Sequence, residues 1–203
     1  NTVNEIQVRV NENIRLPEGY MIQYGGQFEN EAKASQTLML TSILAIFIIF
    51  LLLYQEFKNL NLAGIIMINL PLALIGGIFT IYFVSGIISI PAIIGFITLF
   101  GIATRNGILL VSHYQYFENK GIQTNEYITS GSVDRLNPIL MTALTSALAL
   151  IPLAVNGNAT GNEIQSPMAK VILGGLLSST LLNIYVIPVV YYLIHKKRNN
   201  DEE

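Results

Sequence analysis

The chain has no cysteine and no tryptophan among its 203 residues. Without cysteine it can hold neither a disulfide nor a thiolate metal centre, and the absence leaves the redox compartment open. Charge is scarce too: Asp, Glu, Lys and Arg make up 12% of the residues, about half the share in an ordinary soluble domain. A net charge of −2 gives no footprint for a nucleic-acid partner. No nucleophile elbow, zinc-helix motif or phosphate loop occurs, so an enzyme is a weak reading. The most consequential absence lies in the long apolar runs, none of which contains an Asp or a Glu.

Hydrophobic residues fill the chain, at 52%. Five runs approach the roughly 20 residues that cross a bilayer: 38–54, 62–84, 87–111, 138–155 and 167–194. The second contains Pro71 and Gly76-Gly77, the fourth Pro152 and the fifth Pro188. Ser85-Gly86 alone separates the second from the third, which predicts a tight helical hairpin. Gly174/Ser178 and Gly175/Ser179 are small-xxx-small pairs, and Gly95, Gly101 and Gly107 recur on the third run. Both patterns suit close helix packing, or simply the ordinary glycine usage of membrane helices.

Residues 1–37 are polar and mixed. Val3, Ile6, Val10 and Ile14 fit one helix face, whereas Ile6–Val10 also alternates as a strand does. Leu16-Pro17-Glu18-Gly19 signals a turn, Met21–Tyr24 predicts a short strand ended by Gly25-Gly26, and a helix is expected from near Glu29. A piece this small cannot build its own core. It is expected to be the end of a domain whose body lies upstream, and Asn1 in place of Met, with no signal peptide, points the same way. The expected fold class is an all-α transmembrane bundle of about five spanning helices, preceded by a short α/β piece. Residues 1–37 form that piece, 38–198 the transmembrane domain and 199–203 a tail.

Cations set the expected orientation. Lys58, Lys120, Arg135 and Lys196-Lys197-Arg198 lie in connections on one side, while Ser85-Gly86 and 156–165 carry no Lys or Arg. By the positive-inside rule the first set is cytoplasmic. Lys170 sits just inside the fifth run and can snorkel outward. Five crossings put the termini on opposite sides, with the N-terminal piece outside. Residues 112–137 mix Tyr114, Tyr116, Phe117 and Tyr127 with Glu118, Lys120 and Glu126. That pattern predicts an amphipathic helix at the cytoplasmic interface. His113 and His195 fall at span ends and read as interfacial rather than as metal ligands, and Asn158-Ala159-Thr160 reads as a loop rather than a glycosylated sequon.

Arg105 stands out. It lies within Gly101-Ile-Ala-Thr-Arg-Asn-Gly-Ile-Leu-Leu-Val111. A cation at the bilayer centre costs about 2.5 to 3.5 kcal/mol on insertion scales, and arginine cannot shed its proton. It needs an anion, and the spans supply none. Arg105 lies eight residues before His113, roughly 12 Å at the helical rise, and Thr142 is about 6 Å into the fourth run. Thr145 and Ser146 extend that strip by a turn. Two readings stand for Thr142: a hydroxyl sharing a polar patch with Arg105, or one bonded to its own helix.

Arg135-Leu-Asn-Pro-Ile-Leu-Met-Thr142 with its apolar run to Ile151-Pro152-Leu153, the Arg105 segment, and Gly174-Gly175-Leu-Leu-Ser-Ser-Thr-Leu-Leu182 leading to Pro188 resemble the resistance–nodulation–division (RND) efflux transporters. Leu16-Pro17-Glu18-Gly19 and Tyr24-Gly-Gly-Gln-Phe28 are similar to the end of that family's second periplasmic loop. The resemblance covers essentially the whole chain, but only the last five helices of a twelve-helix permease. Gly161-Asn-Glu-Ile-Gln-Ser-Pro-Met-Ala169 looks most like the heavy-metal branch. Gln165 stands where copper and silver members carry extra methionines, which favours zinc, cobalt or nickel.

The resemblance implies a proton-driven antiporter in the bacterial inner membrane. Residues 1–37 become the end of the periplasmic porter domain and the C-terminus becomes cytoplasmic. The implied proton relay contains Arg105, with Asn106 beside it, Thr142, and Arg135 at the cytoplasmic entrance; acidic partners come from an earlier helix. Drug exporters carry Lys, and some copper exporters Glu, where this chain has Arg105. The implied partners are a homotrimer of the permease, a periplasmic adaptor, an outer-membrane channel and membrane lipid, with no nucleic acid. No cofactor beyond the proton motive force is implied; a metal ion would be the substrate, and its ligands are not readable from these residues. A drug or hydrophobic-compound exporter and a non-transporting membrane subunit are the alternatives.

Overall fold

A computed structural model describes residues 2–13, 17, 22, 27–84, 88–121, 124–157 and 159–201. Among them are seven helices: α1 (Thr2–Asn13), α2 (Gln27–Phe57), α3 (Leu60–Met67), α4 (Asn69–Val84), α5 (Ile90–Glu118), α6 (Thr124–Val155) and α7 (Gln165–Asp201). The chain divides into two units, Asn1–Lys33 and Ala34–Glu203. In the first, α1 carries an exposed Glu5–Arg9 pair at 2.7 Å one turn apart. Ile6 and Val8 are both exposed there.

No strand occurs among the described residues, so the expected α/β piece is not shown. Residues 6–10 take the helical of their two patterns. Of the strand expected at Met21–Tyr24, only Ile22 falls within the described residues, and it belongs to no regular element.

The second unit holds five stretches long and apolar enough to cross a membrane: Lys33–Phe57, Leu60–Val84, Ile90–Glu118, Glu126–Val155 and Gln165–His195. Local chemistry ends each one. Lys58 takes a left-handed φ of 47° and stops α2. Asn59 then caps α3, its side chain accepting from the Asn61 N–H at 2.9 Å. The second stretch breaks at Ile68 into α3 and α4. Pro71 explains the position, because it has no N–H to give the Met67 carbonyl one turn earlier. Pro91 sits in the first turn of α5, where a missing N–H costs nothing, and Gly121, at φ 72°, follows the helix end. The hairpin expected at Ser85-Gly86 lies outside the described residues.

Residues 112–137 form no separate interfacial helix. α5 continues to Glu118, a turn follows, and α6 starts at Thr124 and runs through Pro138. Pro138 frees only the Asp134 carbonyl, and the helix before it is long enough to absorb that loss. Two aromatics of this segment point inward instead: Tyr114 and Tyr127 are fully buried beside Tyr191, while Tyr116 is exposed. They belong to a cluster with Leu53, Phe57, Leu62 and Ile187. That cluster gathers the ends of α2, α5 and α7 and the start of α6, which places Lys58, Lys120 and Arg135 toward one end of the bundle.

α7 packs against α4, α5 and α6. Its contact with α4 depends on small residues. A Cβ added to Gly174 would strike Thr80, and one added to Gly76 would strike Gly174 and Ser178. The close approach lets the Ser178 hydroxyl donate to the Leu72 carbonyl at 2.7 Å. α2 and α6 bury little of their apolar length, so their outer faces are open for lipid or for helices beyond this chain.

Candidate functional site

Exposed positions on α5 recur every three or four residues as Ile94, Thr98, Gly101, Arg105 and Leu109. Another face, through Leu99, Ala103, Asn106 and Leu110, is buried. Helical geometry therefore puts Arg105 on a side that no helix covers among the described residues. Gly101, one turn earlier on that stripe, would meet nothing with an added Cβ. Among the described residues no hydrogen bond or ion pair reaches Arg105.

The residues flanking Arg105 are buried and polar. Thr104 is 7% exposed and Asn106 is 3% exposed. The Thr104 hydroxyl and the Asn106 amide nitrogen have no partner among the described residues. Thr104 lines a cavity of about 390 Å³ together with Gln55, Glu56, Ile49, Leu52, Leu53 and Ile108. The polar groups and the volume suit water there. Thr104 is the first of three successive polar residues, of which the resemblance places Arg105 and Asn106 in the relay and leaves Thr104 out.

α6 runs antiparallel to α5 and supplies the other relay candidates. Tyr114 and Ser132 share a 2.6 Å hydrogen bond, His113 meets Asp134, and Ala143 packs against the cluster that contains Ala103. Matching rise along both helices sets Arg105 level with Met141 and Thr142. Thr142 is half-buried, and its hydroxyl donates to the Pro138 carbonyl at 2.8 Å. That is the local bond, and it uses the only proton the hydroxyl has. Its lone pairs stay open to a donor such as a guanidinium. Thr145 makes the same local bond to Met141.

Because α6 is continuous through Pro138, Arg135 and Thr142 lie seven residues apart on one helix. Seven residues bring a helix back to nearly the same face, about 10 Å along the axis. Arg135 is half-buried. One guanidinium nitrogen lies 3.5 Å from His113 Nδ1, and its Nε is buried without a partner. The structure thus brings Arg105 and Thr142 to one height, puts Arg135 two turns away on the Thr142 face, and turns Asn106 inward.

Two further polar groups had no sequence signal, since their partners are distant in the chain. Asn69, at the α3–α4 break, donates to Asn183 on α7 at 3.4 Å, and both side chains are 1% exposed. Glu118 accepts from the Tyr191 hydroxyl at 3.1 Å and approaches His195 at 3.5 Å. His195 stacks on Tyr191, with ring centres 4.1 Å apart. Neither histidine joins a metal-ligand group, and among the described residues there is no cluster of three or more His, Asp or Glu side chains.

Comparison with known proteins gives the same picture across the chain. It is 35% identical over 201 residues to the cobalt-zinc-cadmium resistance protein CzcA of Cupriavidus metallidurans, covering 99% of this chain and 19% of that protein. It is 37% identical over 201 residues to protein HelA of Legionella pneumophila, at 98% and 19% coverage. A crystal structure of a heavy metal efflux pump superposes with a TM-score of 0.81 at 32% identity, covering 96% of this chain and 19% of that one. The chain therefore spans about a fifth of the length of these relatives. The profile of the AcrB/AcrD/AcrF family matches residues 1–195, and the chain belongs to that family, the RND efflux permeases.

Proposed function

We propose that this chain is the C-terminal membrane part of a proton-driven exporter of divalent heavy-metal cations. The observation that carries the reading is Arg105: an arginine inside an apolar helix, without a partner among the described residues, on an uncovered stripe and level with Thr142. A fixed cation there suits a carboxylate on a helix outside this chain. Ionised, the carboxylate binds the guanidinium; protonated, it lets go. Release biases a two-state helix rearrangement, which is how a proton step drives transport. Thr142 offers its lone pairs on the same level, Arg135 stands toward the cytoplasmic end, and Asn106 anchors the helix inward.

The names of the relatives support a metal cargo, and Gln165 in place of methionine favours zinc, cobalt or nickel over copper or silver. The gathering of Lys58, Lys120 and Arg135 toward one end supports a cytoplasmic C-terminus, with residues 1–37 in the periplasm as the end of a porter domain that owns a strand. The protein works in the inner membrane as a homotrimer with an adaptor and an outer-membrane channel. The test uses everted vesicles holding the full-length protein and a zinc- or cobalt-sensitive dye inside. Uptake should require an imposed proton gradient and stop on adding a protonophore. Uptake that ignores the protonophore, or no uptake of either ion, would overturn the proposal.

A further inference from the structure

His113 on α5 sits between two charged residues of α6, Asp134 and Arg135. Its Nδ1 lies 3.5 Å from Arg135 Nη2 and its Nε2 lies 3.4 Å from Asp134 Oδ2. The tautomer follows from the partners. A guanidinium can only donate, so Nδ1 must accept, and the single proton of a neutral imidazole is on Nε2, where it donates to the carboxylate. Both distances are at the long end of hydrogen bonding. The His113 side chain is 17% exposed and that of Asp134 is 58% exposed, so the carboxylate connects a mostly buried ring to solvent.

The surroundings leave this pair of contacts to His113. Its ring stacks on Tyr116, at 6.3 Å, whose other neighbour is the Lys120 ammonium, and it meets the edge of Phe117. From α7, Tyr191 and His195 meet Tyr114 and Glu118. From α6, Asp134 and Arg135 face the imidazole. Among the described residues the Arg135 guanidinium has one hydrogen-bond partner, His113, and its Nε is buried and unpaired.

Resting on the reading of the chain as part of a proton-driven exporter, we propose that His113 positions Arg135 at the cytoplasmic end of the relay, and that one proton taken up at Nδ1 releases it. Imidazole is the side chain that changes charge in the cytoplasmic pH range. When water delivers a proton to Nδ1, that nitrogen becomes a donor and can no longer accept from Arg135. The imidazolium keeps Asp134, and the two cations repel. Loss of the Nδ1 proton back to water restores the clasp. Arg135 shares its helix face with Thr142, so the event is felt at the level of Arg105.

The test measures zinc and cobalt uptake by everted vesicles of the full-length protein, with the outer, cytoplasmic-face pH varied from 5.5 to 8. The wild-type rate should fall on the acid side of this range, by up to about tenfold per pH unit. His113→Gln keeps an acceptor for Arg135 and a donor for Asp134 but cannot titrate. It should flatten the acid limb to less than about a twofold change over the same range. His113→Ala lacks the acceptor at every pH and should be slower than His113→Gln at pH 8. Adding Arg135→Ala should abolish the difference between the two. A merely structural histidine predicts that His113→Gln retains the wild-type profile. That result, or a His113→Ala rate equal to wild type at pH 8, would overturn the proposal. Failure of the underlying export reading is separate, seen as wild-type uptake that ignores a protonophore.

Discussion

Asn69 and Asn183 clasp the broken second span to α7, with Asn69 Nδ2 donating to Asn183 Oδ1 at 3.4 Å in a site where both residues are 1% exposed. Gly107 on α5 makes room for the clasp: an added Cβ would stand 2.6 Å from Asn69 Nδ2 and 3.0 Å from Ile66 Cγ2. Three helices meet at this point, two residues from Arg105. The polar pair fixes the register of α4 on α7, and α5 closes on it through Gly107.

Gly107→Ala should therefore act through Asn69. The amide must swing away and lose its partner, and interhelical hydrogen bonds in membranes contribute about 0.6 kcal/mol, reaching roughly 1.7. In a double-mutant cycle measured by unfolding in mixed micelles, Gly107→Ala should cost more in the wild-type background than beside Asn69→Ala. Equal costs in the two backgrounds would show that the glycine serves something else.

Gly174 and Gly101 should separate packing from transport. Gly174→Val drives a branched side chain into Thr80 and the Gly76 backbone, an overpacking that typically costs about 1 to 3 kcal/mol. Expression and thermal stability of the full-length protein should drop. A Cβ at Gly101 meets nothing among the described residues, so Gly101→Val should spare the packing of α5 against α4, α6 and α7. It lies on the Arg105 stripe, however, and should impair metal export by obstructing the helix that carries the carboxylate. Unaltered export by Gly101→Val would place that helix elsewhere.

Orientation can be read by labelling, since the segment has no native cysteine. Cysteines at Ile88 and Thr160, both exposed, should react with an impermeant thiol reagent added from the periplasm. Cysteines at Lys58 and Asn119, exposed at the cation-rich end, should react only after the membrane is opened. The reverse pattern would invert the topology drawn from Lys58, Lys120 and Arg135.

The five apolar stretches were legible because twenty-odd residues without a carboxylate have few other readings. Their ends were less so. Pro138 looked like a helix start, which proline often is, yet the helix begins at Thr124, and only that continuity puts Arg135 and Thr142 on one face. Pro71 was visible, but not that the break would fall at Ile68 and be held by Asn183, more than a hundred residues on. Of Gly95, Gly101 and Gly107, the first and last pack against neighbours and Gly101 does not; the period alone could not tell them apart. His113 read as an interfacial residue because its partners, Asp134 and Arg135, come from another helix. Arg105 was legible for a general reason: a cation in hydrocarbon demands an explanation.

The most direct test of the relay is metal-driven proton flux in proteoliposomes of the full-length protein carrying Arg105→Ala, followed from pH 6 to 8. A hydrogen bond to a charged group contributes about 1.5 to 3 kcal/mol, or roughly 10- to 150-fold in rate. A carboxylate stripped of its cation is also harder to ionise, so Arg105→Ala should abolish coupled flux at every pH while the protein still inserts and assembles. Arg105→Lys keeps the charge but loses the planar fork, and should retain partial flux with a shifted pH optimum. Thr142→Ala should cost less, about fivefold for a neutral hydrogen bond of roughly 1 kcal/mol. Wild-type flux in Arg105→Ala across that range would contradict the relay and leave Arg105 a structural residue.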